Sequence, residues 1–209
     1  MSESPQFFPD LNATILRLTK ATIPDDRKSI LQPFIEYLQT KIDQGQEINL
    51  QFICTHNSRR SQFAQAWAWV AARFYGIPLQ AFSGGTEVTA CNPRAVAALH
   101  RAGFEYETDS GENPIYNLSY GSGKPSMPLF SKLYNDPSNP LTGFAAVMTC
   151  SEADENCPFI PGAERRIPLW YEDPKIYDGT AEEAARYDER SDQIGAEMIY
   201  VFANLKIKG

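Results

Sequence analysis

Apolar residues recur along this chain with two periods, and the switches between them outline its elements. Ile30, Leu31, Phe34, Ile35, Leu38 and Ile42 fall at helical spacing behind Pro24-Asp25-Asp26, a start suited to a helix N-terminus. Residues 1 to about 45 therefore read as two helices. Ile48, Leu50 and Phe52 then alternate and run into Ile53-Cys54, which predicts a strand ending at the cysteine. From Ser61 the period turns helical again, with Phe63, Ala64, Trp67 and Val70 on one face and a stop near Gly76.

A second strand is expected over 78–83, closed by Gly84-Gly85, and a helix over 93–102 with proline in its first turn and Gly103 as its stop. A third strand is expected over 144–148, a fourth over 165–169, and a last helix over 180–205 with Ile194, Met198, Val201, Phe202 and Leu205 inward. Residues 105–141 are dense in turn formers and read as irregular, with aromatic residues that suit packing on the surface. Strands alternating with helices predict an α/β fold: a four-stranded, mostly parallel sheet flanked by helices. The expected organisation is an N-terminal helical extension over 1–46, read as a packing element or a partner-binding arm, and a catalytic domain over 47–209 with an insertion at about 105–141.

In such sheets ligands bind beyond the C-terminal strand ends. Cys54 and Cys150 each close a predicted strand, and Asp173 follows the fourth.

Composition narrows the chemistry. The 209 residues carry a net charge of −7, and the sequence has no basic block, so nucleic acid and anionic membranes are poor partners. No apolar run approaches the ~20 residues of a membrane span, and the N-terminus does not read as a secretory signal; a cytoplasmic protein is expected. Four cysteines, at 54, 91, 150 and 157, are then better read as reduced thiols or catalytic groups than as a disulfide framework. Zinc fits poorly: there is no C-x-x-C, and His56 and His100 are not spaced as a ligand pair, so no metal is expected.

The densest chemistry lies in Cys54-Thr55-His56-Asn57-Ser58-Arg59-Arg60-Ser61. A strand delivers the cysteine, a short loop turns its N–H groups inward, and a helix starts where the loop ends, aiming its positive pole at the same point. Such an array binds a tetrahedral oxyanion and favours thiolate over thiol at Cys54, the expected nucleophile. Arg60 would hold two oxyanion oxygens with its planar fork, Asn57 suits a left-handed backbone, and Ser61 would donate to the sulfur. Thr55, His56, Ser58 and Arg59 complete the oxyanion-binding set. The bland alternative is a buried strand-end cysteine beside surface arginines. Cys150 and Cys157 are separated by SEADEN and read either as a redox pair or as a core thiol with an incidental partner; Cys91 reads as structural. Two Asp-Pro pairs, Asp136-Pro137 and Asp173-Pro174, compete to supply a proton for the leaving oxygen.

The string CTHNSRRSQFAQAW, with SGGTEVTACNPRAVAALHRAGF, MTCSEADENCPFIPG and YEDP, resembles the low-molecular-weight protein tyrosine phosphatase superfamily, and within it the thioredoxin-coupled arsenate reductases. The likeness covers roughly 47–104 and 143–205. It implies a relay. Cys54 attacks arsenate, Cys150 attacks Cys54 and expels arsenite, and Cys157 attacks Cys150, leaving a disulfide for thioredoxin, with no bound cofactor. It also implies that Asp173, not Asp136 or the adjacent Glu172, is the general acid. Departures are His56 and Arg59, bulkier and more basic than the usual loop residues, and Gln65 in place of a glutamate that helps hold potassium in many such reductases.

Three functions remain open on the sequence alone. The first is an arsenate reductase using the Cys54, Cys150 and Cys157 relay. The alternative is a phosphatase hydrolysing phosphotyrosine or small aryl phosphates through a Cys54 phosphocysteine. The third is an oxyanion-responsive binding module without catalysis.

Overall fold

The computed structural model describes residues 6–156 and 159–207. Four strands form a parallel sheet in the order β2-β1-β6-β7: β1 is Asn49–Cys54, β2 Gln80–Gly85, β6 Phe144–Met148 and β7 Ala163–Pro168. Five of the six residues of β1 and all five of β6 are buried, as central strands covered on both faces must be. Their C-terminal ends lie side by side, with Ile53 opposite Met148, so Cys54 and Cys150 leave the sheet at the same edge.

Helix α3 (Arg60–Phe74) is buried from Ser61 to Ala72, and its alanines let α6 (Glu183–Ala203) approach closely. At the crossing a Cβ on Gly195 of α6 would stand 2.9 Å from the Trp67 ring, and Trp67 Nε1 donates to Ser191 Oγ at 3.0 Å. Helix α4 (Pro93–Arg101) packs on α6 as well. The extension forms α1 (Pro9–Leu18) and α2 (Asp25–Asp43); Leu11, Ile15, Leu18, Leu31, Phe34 and Leu38 enter the same apolar core as α3 and α6. Ile30, grouped above with the apolar residues at helical spacing, is 43% exposed. Its apolar neighbours saturate the contact face, and a stripe read from spacing alone is wider than the face that packs.

Residues 105–141 are more regular than expected. β3 (Glu105–Thr108), β4 (Tyr116–Ser119) and β5 (Met127–Leu129) form an antiparallel meander. Their alternation, Tyr116 and Leu118 inward and then Met127 and Leu129, spans too few residues to stand out among turn formers. Beyond the meander the chain runs beside β2. Leu133 bridges Gly85, Gly85 N donates to Lys132 O at 2.8 Å, and Tyr134 N donates to Gly85 O at 2.9 Å. The insertion thus pairs with the last residue of an edge strand, whose Gly85 N–H and C=O would otherwise be open. Among the described residues no helix is long and apolar enough to cross a membrane.

If α2 is a structural wall of the core, Phe34→Ala, which empties a fully buried site, lowers stability by about 3–5 kcal/mol in urea titration. Ile30→Ala on the outer face of the same helix changes it by less than about 0.5 kcal/mol.

Candidate active site

Cys54 is the last residue of β1 and is 3% exposed. Between it and α3 the carbonyls of five successive residues are turned outward. Cys54 O accepts from Thr86 N, Thr55 O from Glu87 N and Thr86 Oγ1, His56 O from Ser131 Oγ and Thr89 Oγ1, Asn57 O from Gln62 Nε2, and Ser58 O from Asn92 N. In trans peptides the N–H points opposite to the carbonyl, so this outward anchoring turns the loop's donors toward the space in front of the thiol. The curve needs Gly85: a Cβ there would lie 2.7 Å from Thr55 O and 2.8 Å from Asn57 N.

Asn57 has φ +47°, the only positive φ of a non-glycine among the described residues. Its amide is fixed from both ends, since Oδ1 accepts from Lys132 N at 3.0 Å and Nδ2 donates to Ser61 Oγ at 2.9 Å. Ser61 Oγ, already an acceptor, has its one proton free for Cys54 Sγ, 3.1 Å away. The insertion therefore reaches the nucleophile through a backbone amide. Ser131 and Lys132 were absent from the expected site because a residue acting through its main chain leaves no mark in side-chain pattern. Lys132 is itself buried with its ammonium 4.2 Å from the Phe130 ring, and burial pulls it down to about 8 against the opposing charge of Asp136. The other insertion tyrosines pack elsewhere, Tyr106 on Tyr116 and Tyr120 on Trp69, while Tyr134 packs on the cluster holding Cys54 and Cys150.

Arg60 opens α3. Its Nη2 lies 3.0 Å from Asp173 Oδ2, its Nη1 donates to Tyr171 O at 3.1 Å, and its buried Nε has no partner among the described residues. Arg59, expected on the anion, turns instead to Asp173, donating from Nε to Oδ1 at 2.7 Å and from Nη2 to Oδ2 at 3.3 Å. These guanidinium bonds outweigh burial and hold the Asp173 carboxyl below the usual carboxylate range, the opposite of what a general acid near neutrality needs. Asp173 is thus where it was expected, in a different electrostatic state. His56 faces outward, with Nε2 3.4 Å from Glu87.

Tyr171 is held in turn by a buried ion pair that had not been anticipated. Its hydroxyl donates to Glu197 Oε2 at 2.8 Å, and Arg27 of α2 grips Glu197 with two bonds of 2.8 and 2.9 Å while lying over the Tyr171 ring. The N-terminal extension so reaches Arg60 through the Tyr171 carbonyl. Glu197 carried a signal: it is a charged residue flanked by Ile194, Met198 and Val201 on the inner face of α6.

Cys150, 2% exposed, precedes the short helix α5 (Ser151–Asn156). Thr55 Oγ1 stands between the second thiol and a carboxylate, 3.5 Å from Cys150 Sγ and donating to Glu152 Oε2 at 3.0 Å. Ala153 N donates to Cys150 Sγ at 3.4 Å. The structure therefore brings Cys54, Arg60, Cys150 and Asp173 together, whereas Cys157 lies outside the described residues. Cys91 is fully buried, and desolvation pushes its thiol up to about 12, which makes it inert. Gln65 spends its amide nitrogen on Ala81 O at 3.2 Å and has no charge to offer a cation. No metal-holding group of three His, Cys, Asp or Glu side chains occurs among the described residues.

No family model matches the chain. It is 29% identical over 153 residues to an arsenate reductase of Bacillus licheniformis, covering 73% of this chain and 92% of that protein. It is 29% identical over 148 residues to one of Bacillus subtilis, covering 70% and 89%. Arsenate reductase 2 of Staphylococcus epidermidis matches at 28% over 123 residues, covering 59% and 76%. Among solved structures, a low-molecular-weight protein tyrosine phosphatase from T. tengcongensis superposes with TM-score 0.51 at 14% identity, covering 76% of this chain and all of that one. A mutant of YwlE from Bacillus subtilis does so with TM-score 0.51 at 14% identity, covering 75% and 97%. The chain is of low-molecular-weight tyrosine phosphatase type in fold and arsenate reductase-like in sequence.

Removing the Ser131 hydroxyl leaves Thr89 N without its 2.9 Å partner and takes the shorter of two bonds from His56 O. Ser131→Ala is expected to cost about 1–3 kcal/mol of stability and to weaken phosphate binding at the loop, read by calorimetry.

Proposed function

From this fold and this sequence likeness, we propose that the protein is an arsenate reductase whose electrons come from its own thiols. One observation carries the reading: a second buried cysteine, Cys150, stands beside the nucleophile loop, its sulfur 3.5 Å from the hydroxyl of the residue after Cys54. A phosphatase needs one cysteine here; a reductase needs the second within reach of the first.

Cys54 attacks the arsenic of arsenate while Arg60 and the loop amides hold the remaining oxygens, and one oxygen leaves as water. Cys150 then attacks Cys54 Sγ. The S–S bond forms, the S–As bond breaks, and arsenic departs with the electron pair as arsenite. Two thiols are oxidised as As(V) becomes As(III). Cys157 attacks Cys150 Sγ and releases Cys54, and the Cys150–Cys157 disulfide is reduced by an external dithiol of the thioredoxin type. Exchange requires Cα atoms within about 7 Å, so α5 must rearrange as Cys157 closes on Cys150. In the resting state α5 is tied down at Asp154, which meets Arg166 Nη2 at 2.6 Å and Trp170 Nε1 at 3.0 Å.

The phosphatase-type fold supports a second reading, in which the same loop forms a phosphocysteine and water hydrolyses it. The cysteine pair separates the two. Cys150→Ser and Cys157→Ser are each expected to abolish thioredoxin-coupled arsenite production while sparing hydrolysis of an activated aryl phosphate. Cys54→Ser is expected to lose both activities, by on the order of 10⁶-fold as for removal of other covalent nucleophiles. Full thioredoxin-dependent turnover in either of the first two variants overturns the relay.

A further inference from the structure

Arg59 closes the nucleophile loop directly before α3, is 7% exposed, and spends its guanidinium on Asp173. Both carboxylate oxygens are engaged. Oδ1 accepts from Arg59 Nε at 2.7 Å and from Lys175 N at 3.0 Å; Oδ2 accepts from Arg59 Nη2 at 3.3 Å and meets Arg60 Nη2 at 3.0 Å. Of the about four lone-pair positions of a carboxylate, three are matched by hydrogen-bond donors, two of them from Arg59, and the Arg60 guanidinium lies against Oδ2 as an ion pair. Neither oxygen is clear of a guanidinium, so carrying a proton toward a substrate requires that an arginine first be displaced.

The remaining charges nearby do not relieve this. The Tyr187 hydroxyl of α6 donates to Asp178 at 2.8 Å. Asp178 lies 3.9 Å from Arg94 Nε, and Glu172 accepts from Arg190 Nη2 at 3.3 Å.

We propose that Arg59 is a specificity-determining residue: it keeps Asp173 as the ionic partner of Arg60 instead of a proton donor, and so confines Cys54 to oxyanions whose leaving oxygen departs without a proton from the enzyme. The inference rests on the Cys54 chemistry proposed above. With a phosphate monoester, the S–P bond forms as the P–O bond breaks, and the pair stays on the departing alkoxide or phenoxide, which takes its proton from water. That is tolerable for an acidic phenol and poor for tyrosine, whose hydroxyl has a pKa of about 10. Arsenate as its dihydrogen monoanion carries both protons of the water it releases. The Cys54 thiolate and that monoanion combine to give water and a dianionic thiol-arsenate adduct, with charge and atoms balanced. The second arginine therefore selects for arsenate and against phosphotyrosine at a loop that could capture either.

The test is the dependence of kcat/KM on leaving-group acidity, measured with nitrophenyl phosphate, phenyl phosphate and phosphotyrosine. The native protein is expected to show a steep dependence. Arg59→Gln is expected to raise phenyl phosphate cleavage relative to nitrophenyl by about 100-fold, the lower end of what a positioned general acid supplies, with a new basic limb in the pH profile. That gain vanishes in Arg59→Gln/Asp173→Asn. Arg59→Lys, which keeps the charge without the planar fork, falls between and guards against a folding defect. Equal slopes in the native protein and Arg59→Gln overturn the proposal. So does a selective loss of phenyl phosphate cleavage on Asp173→Asn in the native loop, or the absence of ester cleavage by every variant. The readout concerns only the first bond made by Cys54, so failure of the Cys150–Cys157 relay would leave the slopes unchanged.

Discussion

The site depends on how one peptide segment is curled. Between Cys54 and Arg60 the backbone must reverse within five residues, and it does so through the left-handed conformation at Asn57. An L-residue there is strained unless its side chain repays the cost locally, and the Asn57 amide does so by bridging Lys132 N and Ser61 Oγ. Everything else follows from that curl. The carbonyls turn outward, the N–H groups turn toward the sulfur, the Ser61 hydroxyl is oriented onto Cys54, and α3 begins where its first-turn amides face the same point.

Around this concave array the charges are arranged in a second tier. Arg60 is held between the Asp173 carboxylate and the Tyr171 carbonyl, and Tyr171 is held by the buried Glu197–Arg27 pair. A buried ion pair is weak grounds for stability, since desolvation offsets much of its attraction, but it is directional. Here it fixes the ring and main chain of Tyr171, and hence the arginine that would meet the substrate. The extension, which adds apolar surface to the core through α1 and α2, also sets the geometry of a group across the sheet edge.

Much of this was legible in the amino-acid sequence, because burial writes periodic patterns. The four parallel strands, the helices between them and the nucleophile loop stand out through alternation, helical spacing and the clustering of Cys54, Asn57, Arg60 and Ser61. What escaped was interaction at a distance. Nothing local in Arg59 says whether it turns toward an anion or toward Asp173, 114 positions away. The support from Ser131 and Lys132 runs through a hydroxyl and a main-chain amide in a turn-rich stretch whose strands are three or four residues long. Arg27 and Glu197 lie on separate helices, 170 positions apart. Of the two, only Glu197 broke the pattern of its own element.

The insertion that pairs with the end of β2 also imposes an order of assembly. Asn57 is separated from the amide that holds it by 75 residues of chain. Contacts so distant form late, after the entropy of closing the intervening loop has been met. On a ribosome the strand carrying Cys54 emerges first, and its loop has no fixed shape until the meander has been made and docked. The thiol consequently acquires its anion-binding surroundings only when most of the domain exists, and a nascent chain carries Cys54 as an ordinary cysteine for much of its synthesis.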